Sequence, residues 1–226
     1  MVKKTLTQKF FERPALKVAE ELLEKYLCRQ ITGDPTSPGS RTSKICLIIT
    51  ETEAYVGPED KASHASRGKT KRNKPMFGKP GIWYVYFTYG MHWMLNIVTG
   101  PKDFPAAVLI RGALPTSHAK IFRDLAQRDG VSRAIRQQAN MRVNKNFVHR
   151  SRLNRPAKSL NGPAKLTKFL RIDGRFNTKP ASQKTGLWIE DRGVRIKSSQ
   201  IRRAPRIGVE YAKAWAKKPY RFCINK

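Results

Sequence analysis

The apolar run Ile45-Cys46-Leu47-Ile48-Ile49 and the segment that follows, Glu51-Thr52-Glu53-Ala54-Tyr55, constrain the fold more than any other part of the chain. A β-branched apolar run of this length is a buried strand, and residues 45–56 are expected to form one. With a side-chain period of two, Glu51, Glu53 and Tyr55 share one face, while Thr52 and Ala54 take the other. Carboxylates where a buried strand emerges are costly unless they are paired, hydrated or used. One use is to activate water or to stabilise a cationic centre. The other reading is that each pairs with a nearby Arg or Lys. Spacing alone leaves both open.

Charge narrows the choice of partner. The 226 residues carry 46 Lys+Arg against 16 Asp+Glu, a formal net charge of +30. Residues 1–60 hold nine basic and nine acidic side chains, so the excess lies entirely in the remainder. Such a surface favours a polyanion, most simply nucleic acid, whose counterions are released on binding. It argues against an acidic protein surface or a small anionic metabolite as main partner. The apolar runs are too short to span a bilayer, and Met1 to Pro14 lacks a signal-like apolar core, so no membrane association is expected. Cys28, Cys46 and Cys223 are odd in number and far apart, without a C-x-x-C. Neither a disulfide framework nor a zinc ribbon is expected, and the thiols suit a reducing compartment.

The fold class expected is α+β: a single domain over residues 1–226 with a curved antiparallel β-sheet flanked by helices. Residues 15–27 show helical spacing after Pro14. Gly33 to Ser43 reads as a loop, and Glu59 to Pro75 as a long basic surface loop. Residues 82–89 and 91–98 form a hairpin about Gly90, with Tyr89 at the bend. Residues 106–110 are a short strand ending at Arg111. A helix is expected over 117–128, a basic loop over 140–161, and a helix start at Asn161-Gly162-Pro163. Residues 187–190 and 194–197 read as a second hairpin, and 206–209 and 220–224 as short strands around Trp215.

Trp83, Tyr84, Tyr86, Phe87, Tyr89 and Trp93 crowd a short stretch. Strand packing accounts for most of them. Tyr89, beside a tight bend, buries little in its own core and on a basic protein could act as a wedge between bases. Arg67 to Lys74 is a phosphate-contact candidate or a solvated basic loop. Its Gly68-Lys69-Thr70 is not a phosphate loop, because that motif requires glycine where Ser63 stands. His64, His92, His118 and His149 lie far apart, so no metal site is expected, and no covalent-nucleophile motif occurs.

The residues resemble a known family. Glu51 to Asp60 and Ala62-Ser63-His64 carry the likeness, with Arg72-Asn73, Met76-Phe77, Tyr84-Val85-Tyr86, Tyr89-Gly90-Met91, Asn96-Ile97, Arg111, Gly162 to Leu166, Arg206-Ile207-Gly208-Val209 and Trp215 to Pro219. Together they are similar to the alkyladenine (3-methyladenine) DNA glycosylases. The resemblance implies that Glu53 activates a water for attack on the sugar, with Arg111 and the main-chain carbonyl of Ile207 holding that water. It implies a base pocket of Tyr55, Ala62, His64, Tyr86 and Asn96, with Asn96 rejecting the amino group of guanine. Tyr89 would intercalate, its hairpin entering the minor groove. Thr70, Arg72, Met76, Met91, His92 and Lys165 would contact DNA.

No cofactor and no metal are implied. The partner would be double-stranded DNA containing damaged purines, bound by a monomer in the bacterial cytoplasm, associated with the nucleoid, or in the nucleus if the source is eukaryotic. The expected activity is monofunctional excision of alkylated purines, with hypoxanthine and ethenoadenine as further candidates. The rival readings are a non-catalytic nucleic-acid-binding module and a metal-dependent nuclease using Glu51 and Glu53. The segment 140–160 is expected to add phosphate contacts.

Overall fold

A computed structural model describes residues 3–31, 42–116 and 160–225. Its centre is the strand β3 (Ser43–Val56), which contains the apolar run and both glutamates. The first half of β3 pairs antiparallel with β2 (Tyr26–Ile31), and its second half with β10 (Arg221–Ile224). Its other edge pairs with β6 (Ala106–Pro115). From there the sheet continues through β5 (His92–Val98) to β4 (Trp83–Thr88), and on the far side through β8 (Leu187–Asp191) to β1 (Lys4–Thr5). The short β7 (Leu160–Asn161) pairs with β6, and β9 (Ile201–Ala204) pairs with β10. All these pairings are antiparallel, so the chain is α+β around one large open sheet.

Helix α1 (Gln8–Phe11) and helix α2 (Ala15–Glu21) lie at the N-terminal end, and α3 (Pro163–Phe169) packs near β5 and β6. Thr52 faces α2 and donates its hydroxyl to the Ala19 carbonyl at 2.8 Å. By strand alternation Glu53 therefore points away from α2, to the opposite side of the sheet. The largest core cluster gathers Val18, Leu22, Leu47, Ile49, Trp83, Ile97 and Ile110. No helix among the described residues is long and apolar enough to cross a membrane.

Several expectations change. The helix predicted over 15–27 stops at Glu21, because Glu24 takes a positive φ of 69° and Tyr26 enters β2, where strands on both sides pair with it. Strand pairing overrides helical periodicity there. Residues 194–197 are not a strand; β8 pairs with β1 and β2, while Asp191 holds the turn by accepting from the Gly193 amide. Residues 206–209 are not a strand either, since β10 is satisfied by β9 and β3. The 59–75 segment is more than a surface loop: it makes two 3-10 turns and buries Asp60, Ala62 and Asn73. Cys28 and Cys46 are joined as a disulfide, against the expectation of free thiols. Sheet register places them directly opposite each other on β2 and β3, which sequence spacing does not disclose. The helix expected over 117–128 and nearly all of the basic 140–160 segment lie outside the described residues.

Candidate active site

Glu53 is fully buried at the floor of a cavity of about 540 Å³. Three groups fix its carboxylate. The Ile207 amide donates to Oε1 at 2.9 Å, the Arg111 Nη1 lies 3.4 Å from the same oxygen, and the Tyr55 hydroxyl donates to Oε2 at 3.1 Å. Burial raises the Glu53 pKa above its ordinary value, and Arg111, the Ile207 amide and Tyr55 offset part of that rise. The side chain is therefore a desolvated carboxyl group of raised proton affinity, with Oε1 held by the Ile207 amide and faced by Arg111, and Oε2 held by Tyr55.

Arg111 reaches this position through irregular pairing. The β3–β6 register runs from Ile49↔Ala113 to Glu51↔Gly112 and then Thr52↔Ile110, leaving Thr50 and Arg111 unopposed. Such bulges re-aim a side chain, and here the guanidinium spans Glu51 and Glu53. The resemblance implied a role for the Ile207 carbonyl; the contact that the structure makes with Glu53 is through the Ile207 amide.

The cavity walls are aromatic. His64 and Tyr86 meet edge-to-face at 4.7 Å, and Tyr84 and Tyr86 lie 5.1 Å apart. His64 Nδ1 shares a hydrogen bond of 2.9 Å with the Tyr84 hydroxyl. Burial, with the Arg72 charge nearby, holds the imidazole pKa down to about 4, so the ring is neutral near pH 7. Burial pushes the Tyr86 phenol up to about 12. Asn96 is buried in the lining and donates its amide to the Tyr84 carbonyl at 3.1 Å, which fixes its orientation. Ala62 is buried elsewhere in the lining, and Tyr55 packs against Ala62 and Val209. All the base-pocket residues expected from the sequence thus line one cavity.

The candidates for DNA contact are divided. Tyr89 and Met91 stand out at the β4–β5 turn, 79% and 68% exposed, with His92 exposed next to them. Thr70, Arg72 and Lys165 are exposed as well; Arg72 donates to the Phe87 carbonyl and lies over the Tyr86 ring. Met76 is buried against Ala65 and Tyr84 in the lining of the cavity, so its side chain is not on the open surface.

Sequence reasoning gave no role to Asp60, Arg206, Tyr211 or Arg221. Arg206 and Asp60 form a buried ion pair, and Arg206 also donates to the Ala54 carbonyl. Tyr211 donates to the Ala62 carbonyl at 3.1 Å. These contacts join segments far apart in the chain and leave no local pattern. Among the described residues, Cys28, Cys46 and Glu190 form a group with metal-ligand atoms within 4.8 Å of one another. The two sulfurs are bonded to each other, and Glu190 is bound by Lys44, Trp188 and Arg192, so the group suits structure better than a cation.

Residues 9–226 match the model of the methylpurine-DNA glycosylase family. The chain belongs to that family. A protein of Methanocella arvoryzae assigned the name 3-methyladenine DNA glycosylase is 37% identical over 98% of this chain and 96% of its own length. Proteins of Psychrobacter cryohalolentis and Ehrlichia chaffeensis assigned the same name are 37% and 36% identical, over 94% and 97% of this chain and 88% and 92% of their own lengths. A methylpurine-DNA glycosylase is a DNA-repair hydrolase of N-glycosyl bonds, and the +30 charge suits its DNA substrate.

Proposed function

We propose that this glycosylase flips a damaged purine out of duplex DNA into the Glu53 cavity and hydrolyses its N-glycosidic bond, leaving an abasic site. The observation that carries the reading is the buried Glu53 carboxylate, held on Oε1 by the Ile207 amide and on Oε2 by Tyr55, beneath aromatic walls. As the bond between C1′ and the base nitrogen breaks, its electron pair leaves with the base and the sugar gains oxocarbenium character. Glu53 stabilises that charge and accepts a proton from the water whose oxygen bonds to C1′. A purine alkylated at N3 or N7 is already cationic and departs as a neutral base. Tyr55, Tyr86 and neutral His64 favour such an electron-poor ring by stacking and cation–π attraction. These properties make 3-methyladenine and 7-methylguanine the leading substrates, with hypoxanthine and ethenoadenine as neutral competitors.

Base release from methylated duplex DNA, and from a duplex holding one hypoxanthine, tests this reading in the presence of EDTA. The wild-type protein should release the base and leave the strand uncut. Glu53→Gln should bind the same DNA and release none. Equal binding by both proteins with no release by either would leave a DNA-binding module and overturn the proposal.

A further inference from the structure

Glu51 lies two residues before Glu53 and, on its face of β3, is pulled between two arginines. Arg221 Nη1 donates to Glu51 Oε1 at 2.9 Å, and Arg111 Nε lies 3.3 Å from that oxygen. Arg111 Nη1 is in turn 3.4 Å from Glu53 Oε1. Both Arg111 distances exceed the roughly 2.7–2.9 Å of a full charge-assisted hydrogen bond. The guanidinium is therefore shared between two carboxylates and closes on neither.

The network returns to Glu53 by a second route. Arg221 Nε donates to the Pro205 carbonyl at 2.8 Å, and two residues further on the Ile207 amide donates to Glu53 at 2.9 Å. Gly112, which opposes Glu51 in the sheet, leaves room for this arrangement. A Cβ there would sit 3.2 Å from the Glu51 Cβ and 3.4 Å from its Oε2.

We propose that Glu51 is a positioning residue for base excision: by holding Arg111 off Glu53, it leaves the Glu53 carboxylate free to take the proton of the attacking water. The inference rests on the proposed role of Glu53. Without the Glu51 charge, Arg111 would close on Glu53 alone, weaken it as a base and crowd the oxygen the water needs. The groups facing Glu53 are Arg111 from β6, Glu51 and Tyr55 from β3, Tyr86 from β4, Arg221 from β10, and Arg206 with the Ile207 amide from the 205–208 segment. Among the charged ones in the described residues Glu51 alone is negative, so its removal acts in one direction.

The test is the single-turnover rate of base release against pH for wild type, Glu51→Gln, Glu51→Asp and Gly112→Ala. Glu51→Gln should move the acid limb to lower pH and reduce the plateau rate about tenfold, the change that a barrier increase of about 1.4 kcal/mol gives. Affinity for DNA carrying a non-cleavable abasic analogue should stay the same. Glu51→Asp, which keeps the charge, should restore part of the rate. Gly112→Ala keeps every ionisable group and should shift the limb the same way by less. It also provides the reading if Glu51→Gln fails to fold. A slower Glu51→Gln with an unmoved acid limb, or a folded Gly112→Ala with an unmoved limb, would overturn the inference. If Glu53→Gln released base as fast as wild type, the role of Glu53 itself would fall, which is a separate outcome.

Discussion

Arg206 Nη2 lies 2.8 Å from Asp60 Oδ1, and both side chains are completely withdrawn from solvent. The pair joins the loop after β3, which carries Ala62 and His64 into the cavity, to the segment whose Ile207 amide holds Glu53. Arg206 also lies 4.8 Å above the Tyr55 ring, so one guanidinium braces both the floor and a wall of the pocket.

Removing the second partner should therefore cost less than removing the first. Asp60→Asn or Arg206→Met leaves a buried charge uncompensated and should destabilise the protein by about 3–5 kcal/mol. The double variant should lose less than the sum of the two. Urea titration of the four proteins measures this, and additive losses would show that the charges are not coupled.

Glu24 makes stability fall as pH rises. It is buried, one carboxyl oxygen has no hydrogen-bond partner among the described residues, and desolvation lifts its pKa from 4.5 to about 7 despite Lys25 and Arg195. Between those values the folded state holds a proton that the unfolded state has lost, so its contribution is fully present below 4.5 and gone above 7. The shift corresponds to roughly 3 kcal/mol as an order of magnitude. Glu24→Gln should thus gain stability relative to wild type on going from pH 5 to pH 8, as read by denaturant melts. A difference that stays constant across that range would refute the linkage.

Tyr89 and Gly90 both have positive φ, 53° and 64°, and the Met91 amide closes the turn on the Thr88 carbonyl at 3.1 Å. This is a type I′ turn, whose first central position favours Asn over an aromatic residue. Tyr89→Asn should leave thermal stability equal or higher. It should slow base release from duplex DNA by roughly 10–100-fold, the equivalent of about 1–3 kcal/mol of lost stacking. Melting curves alongside single-turnover rates check both halves, and undiminished release would remove Tyr89 from the flipping step.

Much of the site is legible in the sequence because its parts are local. The run from Ile45 into Glu51-Thr52-Glu53 becomes β3 with Glu53 opposite Thr52, as period-two alternation requires. The aromatic stretch becomes the β4–β5 hairpin with Tyr89 at its turn. Where local pattern and long-range pairing compete, pairing wins. Tyr26 and Leu27 carry a helical period, yet β3 and β8 draw them into the sheet. Met76 sits within a basic surface stretch, yet it packs under Tyr84.

The two glutamates divide along the same line. Their shared face and the basic charge that makes carboxylates conspicuous are properties of the sequence alone. Which of them is desolvated beneath the cavity, and which is tied to Arg221 and Arg111, follows from the bulge that aims Arg111 and from β10 lying beside β3. The disulfide between Cys28 and Cys46 and the Asp60–Arg206 pair are decided in the same way. Periodicity is carried by neighbouring residues and can be read along the chain. Burial and pairing depend on segments as far as 170 positions apart, and only the assembled sheet brings them within a few ångströms, where desolvation and charge act.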